Sequence, residues 1–385
     1  MKGRDSMAKA VRNAGYTKEY NRKMFLRLLR REPLSRAELA RRTGLTRAAT
    51  SLIAEELLSE GLVMETTATT HQLGRTPIPL VLRPDAGYAV GVYLNRSGCT
   101  AGLVDMCGNI LCKENLQIGE GIAHEKVAPL VACISRMLSQ TGIPRERLVG
   151  VGISAPGPLD GERGRILNPP RFSLWHQTDI GPMLGQSLCL PVYLENDASC
   201  LARYNLGKSA AKGSENYLLL LVDSGIGSGV IINGKVLKGA GYLTSELGHT
   251  TINYQGKHCA CGNIGCLEAY AAIPNLLRGS EFTSWQQVID SHNVSPLAQK
   301  LMLQESDYLC AGIINMATLV SIDTVLLAGD LLYGAEVFTP ILEEKVNQRL
   351  LRRDILPIRV LPSCSGPDTR VQAAADVAFG RFLMV

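Results

Sequence analysis

A three-stranded meander occurs twice in this chain, and that repetition narrows the folds open to it more than any other feature. The first copy reads as a strand over 88–93, a loop at Asn95, Arg96, Ser97 and Gly98, a strand over 100–105, a turn at Gly108-Asn109 and a third strand from Ile110. The second has a strand over 217–222, a loop over 223–229, a short strand over 230–232, a turn at Asn233-Gly234 and a third strand from Lys235. Gly-Asn or Asn-Gly between apolar runs is a strong hairpin signal, because the tight turn needs positive φ at its central residues. Each copy is followed by helical and strand segments. The body is therefore expected to be two similar α/β lobes with a cleft between them, the alternative being one larger α/β domain. A helical pattern over 369–382 is expected to pack back on the first lobe.

At 385 residues the chain has room for two or three domains, and its charge marks one of them off. Residues 1–84 hold 16 Lys and Arg against 8 Asp and Glu, whereas the rest of the chain holds 24 against 27. A basic module attached to a neutral body is the pattern of a nucleic-acid-binding extension. Within it Met24, Phe25, Leu28 and Leu29 make an apolar helical stripe that Pro33 ends. Ser35 and Glu38 form a capping box for a short helix with Leu39 and Ala40 inward and Arg41 and Arg42 outward. Gly44 stops that helix, and Thr46 caps a third, with Ala49, Leu52, Ile53 and Leu57 as its expected buried face and Arg47, Thr50, Ser51 and Ala54 opposite. This is a helix-turn-helix pattern. Two apolar stretches, 62–64 and 78–82, flank a polar loop with Gly74, Arg75 and Pro77 and read as a β-hairpin wing. Arg47, Thr50 and Ser51 are the expected base readers; Arg41, Arg42 and Arg75 are the expected contacts to phosphates or groove shape.

No apolar run approaches the ~18 residues of a membrane span, and the N-terminus has no apolar signal core, so a cytoplasmic protein is expected. Eleven cysteines without such a signal argue against a disulfide framework. Three of them, Cys259, Cys261 and Cys266, stand within eight residues among glycines, with His249 ten residues upstream of the first. That set can make a Cys₃His tetrahedron, which leaves no open coordination position and implies structural zinc. His258 is a competing ligand, and buried free cysteines are the alternative. The glycine run 223–229 is neither a P-loop nor a dinucleotide-binding turn; its amides can cradle a phosphate or serve a tight hairpin. Asn196, Asp197, Glu246 and Glu268 lie near these motifs and are the kinds of side chain that bind sugar hydroxyls, although taken singly a helix cap at Asp197 and a surface helix position for Glu268 explain them better.

Taken together, Asn196-Asp197-Ala198, the glycines 225–229, Glu246-Leu247-Gly248-His249 and Cys-x-Cys-Gly-x-x-Gly-Cys-Leu-Glu resemble the ROK family of bacterial sugar kinases and sugar-responsive repressors. The resemblance covers essentially the whole chain. It implies an actin-like, hexokinase-like body of two lobes, so that the organisation becomes a winged helix-turn-helix over 1–84, a first lobe over 85–200, a second lobe with the zinc loop over 201–365 and a C-terminal helix over 366–385. It also implies that Asn196, Asp197, Glu246, His249 and Glu268 hold the sugar, with Asp197 at the position of the kinase base and His249 serving both zinc and sugar. The basic module resembles the winged helix of the family's repressors, such as those controlling xylose or N-acetylglucosamine genes.

One departure separates the branches. ROK kinases begin the first lobe with Asp-x-Gly-Gly-Thr, where this chain has Tyr93-Leu94-Asn95-Arg96-Ser97, and Leu327-Ala328-Gly329-Asp330 replaces a more glycine-rich kinase pattern. Phosphoryl transfer depends on positioning and charge neutralisation, so the chain is expected not to be an enzyme. The expectation is a sugar-responsive repressor of carbohydrate utilisation genes, with xylose among the candidate sugars, binding operator DNA as a homodimer or higher homo-oligomer. A sugar kinase with a DNA-binding extension is the rival.

Overall fold

The computed structural model describes residues 14–66, 78–95, 98–118, 123–170, 172–208, 211–239 and 245–383. They form two compact units, one comprising residues up to 88 together with 105–109 and 379–385, the other 89–104 and 110–378.

The first unit opens with α1 (Ala14–Leu29), β1 (Leu34–Ser35), α2 (Arg36–Thr43) and α3 (Arg47–Ser59), followed by β2 (Val63–Glu65) and β3 (Pro79–Leu82). Its three strands pair in the order β1-β3-β2, all antiparallel. Helix, strand, two helices and a two-stranded ribbon in this order make a winged helix-turn-helix. Its local signals were legible: the Ser35 and Glu38 capping box forms, and Gly44 ends α2 with φ 71°, the left-handed conformation that glycine adopts without strain. Phe25, Leu29, Leu39, Ile53, Leu57, Leu80 and Leu82 close the core. The turn at 105–109 belongs to this unit; the Asp105 carboxylate accepts the backbone N–H of Cys107 and of Asn109, each at 2.9 Å.

The second unit starts with β4 (Tyr88–Asn95), β5 (Gly98–Asp105) and β6 (Ile110–Gln117), then α4 (Ala123–Thr141), β7 (Leu148–Ala155), a small ribbon of β8 (Leu159–Asp160) and β9 (Arg165–Ile166), α5 (Ile180–Leu188), β10 (Val192–Asn196) and α6 (Asp197–Asn205). It continues with β11 (Tyr217–Val222), β12 (Ile226–Ile232), β13 (Lys235–Val236), α7 (Glu268–Ala271), α8 (Ile273–Leu276), α9 (Trp285–Ser291), α10 (Pro296–Leu319), β14 (Thr324–Gly329), α11 (Ala335–Arg349), β15 (Arg359–Pro362) and α12 (Thr369–Phe382).

The repeat seen in the sequence is a repeat of sheets. One sheet runs β10-β7-β4-β5-β6 and the other β13-β12-β11-β14-β15. Numbered in chain order within each lobe, both read 3-2-1-4-5. The run Tyr217–Val222 is buried throughout because β11 is central and covered on both faces. Leu218, Leu220 and Val222 pack with Leu309, Ile313 and Phe338 of α10 and α11, whereas Tyr217, Leu219 and Leu221 pack with Leu201 of α6 and Val377 of α12. This is the two-residue period of a strand.

The glycine run 223–229 is mostly strand rather than loop. The hairpin is tight, Val222 pairs with Ile226, and only 223–225 form the connection. A Cβ on Gly229 would stand 2.5 Å from the Ala198 carbonyl oxygen and 2.8 Å from the Ala202 Cβ. These glycines let α6 lie against β12, which explains their spacing without a bound phosphate. The corresponding close approach in the first lobe involves α12: a Cβ on Gly91 would be 2.1 Å from the Val371 carbonyl oxygen, and one on Gly152 1.9 Å from that of Ala374.

Candidate functional site

Five strand and helix ends bring the expected pocket residues together. Asn196 ends β10, where its Oδ1 accepts the Ser199 N–H at 3.0 Å and caps α6. The cap is thus Asn196, and Asp197, the first helical residue, is left with its Oδ1 on the Ala198 N–H at 2.8 Å. Glu246 and His249 flank one short 3₁₀ turn, closed by the His249 N–H on the Glu246 carbonyl at 3.0 Å. Gly248 in that turn allows it to sit on β12, since a Cβ there would be 2.4 Å from the Ile226 carbonyl oxygen. Glu268 opens α7 and accepts the Ile226 N–H at 3.0 Å. All five line one cavity of about 340 Å³, together with Tyr93, Asn95 and Asp223.

The electrostatics of this cavity are acidic. Burial pushes the Asp197 carboxyl above the usual carboxylate range, with Arg370 opposing and Asp223 adding to the shift. Burial also raises Glu246, opposed by His249 and reinforced by Asp197 and Glu268. A ring of acceptors with two amides, Asn95 and Asn196, suits a neutral ligand rich in hydroxyl donors.

The cysteine loop lies directly behind this wall. Donor atoms of His249, Cys259, Cys261 and Cys266 all fall within 4.8 Å of one another. The Cys261 and Cys266 sulfurs are 3.7 Å apart, and the Cys259 sulfur is 3.6 Å from His249 Nδ1. Zinc bonds of ~2.3 Å to sulfur in a tetrahedron require ligand separations of about 3.8 Å, so the donor set has the size and chemistry of a closed zinc site. Gly265, at φ 76°, is required where the loop turns, because a Cβ would stand 1.7 Å from the Asn253 carbonyl oxygen. His258 is not in the cluster; its backbone pairs with Ile264 instead.

In the first unit the expected base-reading face needs correction. Thr50 and Ala54 are fully buried with Ile53 and Leu57, whereas Leu52 is 62% exposed. Positions 50, 53, 54 and 57 share one face of a helix that begins after the Thr46 cap, and the hydrophobicity of Leu52 hid that register. Thr50 is therefore not an outward base reader. The outward surface of α3 carries Arg47, Ala48, Leu52 and Glu55, with Ser51 half-buried at its margin. Arg41 is exposed, and Arg42 is exposed but paired with Glu32 at 2.7 Å. Arg75 lies outside the described residues, as do Arg96 and Ser97.

Sequence reasoning missed Arg370. It stands at the start of α12 and donates to the Tyr93 hydroxyl at 2.9 Å and to Asp223 Oδ2 at 3.2 Å. These partners are 277 and 147 positions away, and no local motif marks the residue.

The ROK family model matches residues 89–379. The chain belongs to the ROK family. Among ROK proteins it is similar along its whole length to the xylose repressor of Bacillus subtilis (strain 168), at 27% identity over 374 residues, covering 96% of this chain and 97% of the relative. A crystal structure of a ROK family transcriptional regulator, a homologue of the E. coli MLC protein, superimposes with a TM-score of 0.79 at 24% identity, covering 95% of this chain and 97% of that one. The ROK hexokinase from Thermus thermophilus, at 28% identity and a TM-score of 0.66, covers 76% of this chain and 98% of its own. No helix among the described residues is long and apolar enough to cross a membrane.

Proposed function

We propose that this ROK protein is a sugar-responsive transcriptional repressor of carbohydrate utilisation genes, which binds a palindromic operator as a homodimer or higher homo-oligomer in the cytoplasm. The observation that carries the reading is the pairing, in one chain, of a winged helix-turn-helix with a pocket into which Asn196, Asp197, Glu246, His249 and Glu268 converge. Full-length similarity to a xylose repressor supports it and makes xylose the first sugar to test. Residues 1–84 form the DNA-binding domain, 85–200 and 201–365 the two lobes, and 366–385 a helix returning to the first. Arg47 and Ser51 read bases, with Arg41, Arg42 and Arg75 on phosphates or groove shape. His249, Cys259, Cys261 and Cys266 hold a structural zinc that fixes the loop carrying His249 and Glu268.

Catalysis is not part of this reading. Tyr93 and Asn95 line the pocket where the kinases of the family carry an aspartate and glycines, and bulk there opposes the close approach of ATP phosphates to the backbone. Sugar acts instead by favouring one of two body states, and a shift from 1:99 to 99:1 requires about 5.5 kcal/mol of differential affinity.

Selection from random duplexes defines the operator, and xylose is then titrated into the complex. Release or tightening of the DNA is the expected outcome. Arg47→Ala should reduce discrimination between operator and random DNA by ~1–3 kcal/mol if Arg47 makes a bidentate base contact. ATP-dependent hexose phosphorylation at about 1–10³ s⁻¹ would overturn the reading in favour of a kinase.

A further inference from the structure

Two residues that line the acidic pocket share a cation that is not itself part of the lining. Arg370, at the start of α12, bridges the Tyr93 hydroxyl on β4 to the Asp223 carboxylate at the end of β11, while its guanidinium lies 4.8 Å from the Tyr93 ring centroid. Tyr93 and Asp223 both line the cavity, so one side chain joins the walls contributed by the two lobes. The charges around it are Asp197 from α6, Asp223 from β11 and Asp330 after β14, and Glu246 faces Asp197 in turn. Three carboxylates so placed need a counter-charge, and the common external solution would be a divalent cation with oxygen ligands. Here a planar guanidinium, charged at every physiological pH, meets a carboxylate, a phenol and a ring face at once.

We infer that Arg370 is the built-in counter-cation of the pocket, a positioning residue that ties Tyr93 to Asp223 and lets the acidic wall accept a neutral sugar without a divalent cation or a nucleotide. The inference deepens the sugar-binding reading and rests on it for the identity of the ligand. The role as counter-cation has a readout that needs no sugar. Arg370 holds Asp197 down against burial. Removing the positive charge therefore raises the pH at which that carboxyl titrates, and a lysine, which keeps the charge, does not.

The test uses the full chain as wild type, Arg370→Met, Arg370→Gln, Arg370→Lys and Asp223→Asn, each checked for zinc content and thermal unfolding. Aspartate labelled with carbon-13 reports carboxyl titration by NMR, with Asp197→Asn assigning the signal. The expected result is an Asp197 midpoint raised in Arg370→Met and close to wild type in Arg370→Lys. Asp223→Asn removes a like charge and leaves Arg370, so it should lower the midpoint; Arg370→Gln, which also removes the positive charge, decides the question if Arg370→Met does not fold. An unchanged midpoint in Arg370→Met or Arg370→Gln, or an equal rise in Arg370→Lys, overturns the inference. Calorimetry with D-xylose, D-glucose and N-acetylglucosamine, without added metal and again with Mg²⁺, forms the second arm. Arg370→Met should bind the wild type's sugar at least tenfold more weakly and lose it at a higher pH, with Mg²⁺ making no difference to the wild type. A wild type that requires Mg²⁺ for sugar binding overturns the inference. A wild type that binds no sugar sinks the functional reading, while the titration still decides the role of Arg370.

Discussion

The two lobes share a sheet topology but differ at the end of their first strands. β4 runs on to Asn95 and places the large Tyr93 in the pocket, whereas β11 stops at Val222 and turns at once through Asp223, Ser224 and Gly225. The Asp223 N–H donates to the Gly225 carbonyl at 3.0 Å; its Oδ1 accepts from the Ser224 hydroxyl and the Gly225 N–H, and its Oδ2 accepts from Arg370. The helices show the matching exchange. The fifth strand of the first lobe leads into α6, which packs on β12 of the second; the fifth strand of the second lobe leads into α12, which packs on the glycines of the first. Equivalent sheets can thus carry unlike pocket walls, because the wall is made by strand ends and crossing helices rather than by the sheet itself.

Breaking the helix exchange should have the largest effect. Gly152→Val forces a side chain into the Ala374 carbonyl, and Gly229→Val does the same against Ala198. Each should destabilise by about 3 kcal/mol or more, at the upper end of overpacking, read by denaturant unfolding. Gly227→Ala is the contrast: its Cβ would sit 3.2 Å from the Ala198 Cβ, and a small loss there against a large one at Gly152 would sharpen the picture. Equal tolerance at all three would show that neither helix is seated as described.

The second lobe also carries the cluster of His249, Cys259, Cys261 and Cys266, and Cys261→Ser should abolish zinc binding there. Elemental analysis is expected to give about one zinc per wild-type chain and almost none in the variant, since a four-ligand structural site tolerates no missing thiolate. Sugar affinity should fall with it, through the loop holding His249 and Glu268. Unchanged metal in both Cys259→Ser and Cys261→Ser would remove the site.

Asp197, delivered by the first lobe to the pocket, is the next test. Asp197→Asn should weaken sugar binding by roughly 1.5–3 kcal/mol, the worth of a charge-assisted hydrogen bond. Burial raises its carboxyl, and the ionised form is the better acceptor, so wild-type affinity should be greater on the alkaline side of its titration. It should decline on acidification earlier than an ordinary carboxylate would allow. Calorimetry across pH checks both.

The smallest effect concerns Glu305 on α10, fully buried with neither carboxylate oxygen hydrogen-bonded. Glu305→Leu should stabilise the fold by ~1–3 kcal/mol near pH 8, the scale of an unsatisfied buried polar group. Burial raises the folded-state carboxyl far above its unfolded value. The wild type therefore binds a proton more tightly when folded, and the gain from the substitution should shrink as pH falls through the folded value. A gain independent of pH would show that the carboxyl is not titrating in the core.

Residues that act on their chain neighbours were readable without the fold. Ser35 and Glu38 cap a helix three residues apart, Gly44 and Asn233-Gly234 turn the backbone where they stand, and the cysteine loop places three of the four clustered donor residues within eight positions. The repeated meander announced two sheets because strand periodicity and hairpin turns are local as well. Burial of Thr50, the strand character of Gly227 and Gly229, and the guanidinium of Arg370 between Tyr93 and Asp223 were decided only by tertiary packing. In each case the deciding partner comes from a distant segment or from the helix register that the core imposes, and no local pattern carries that information.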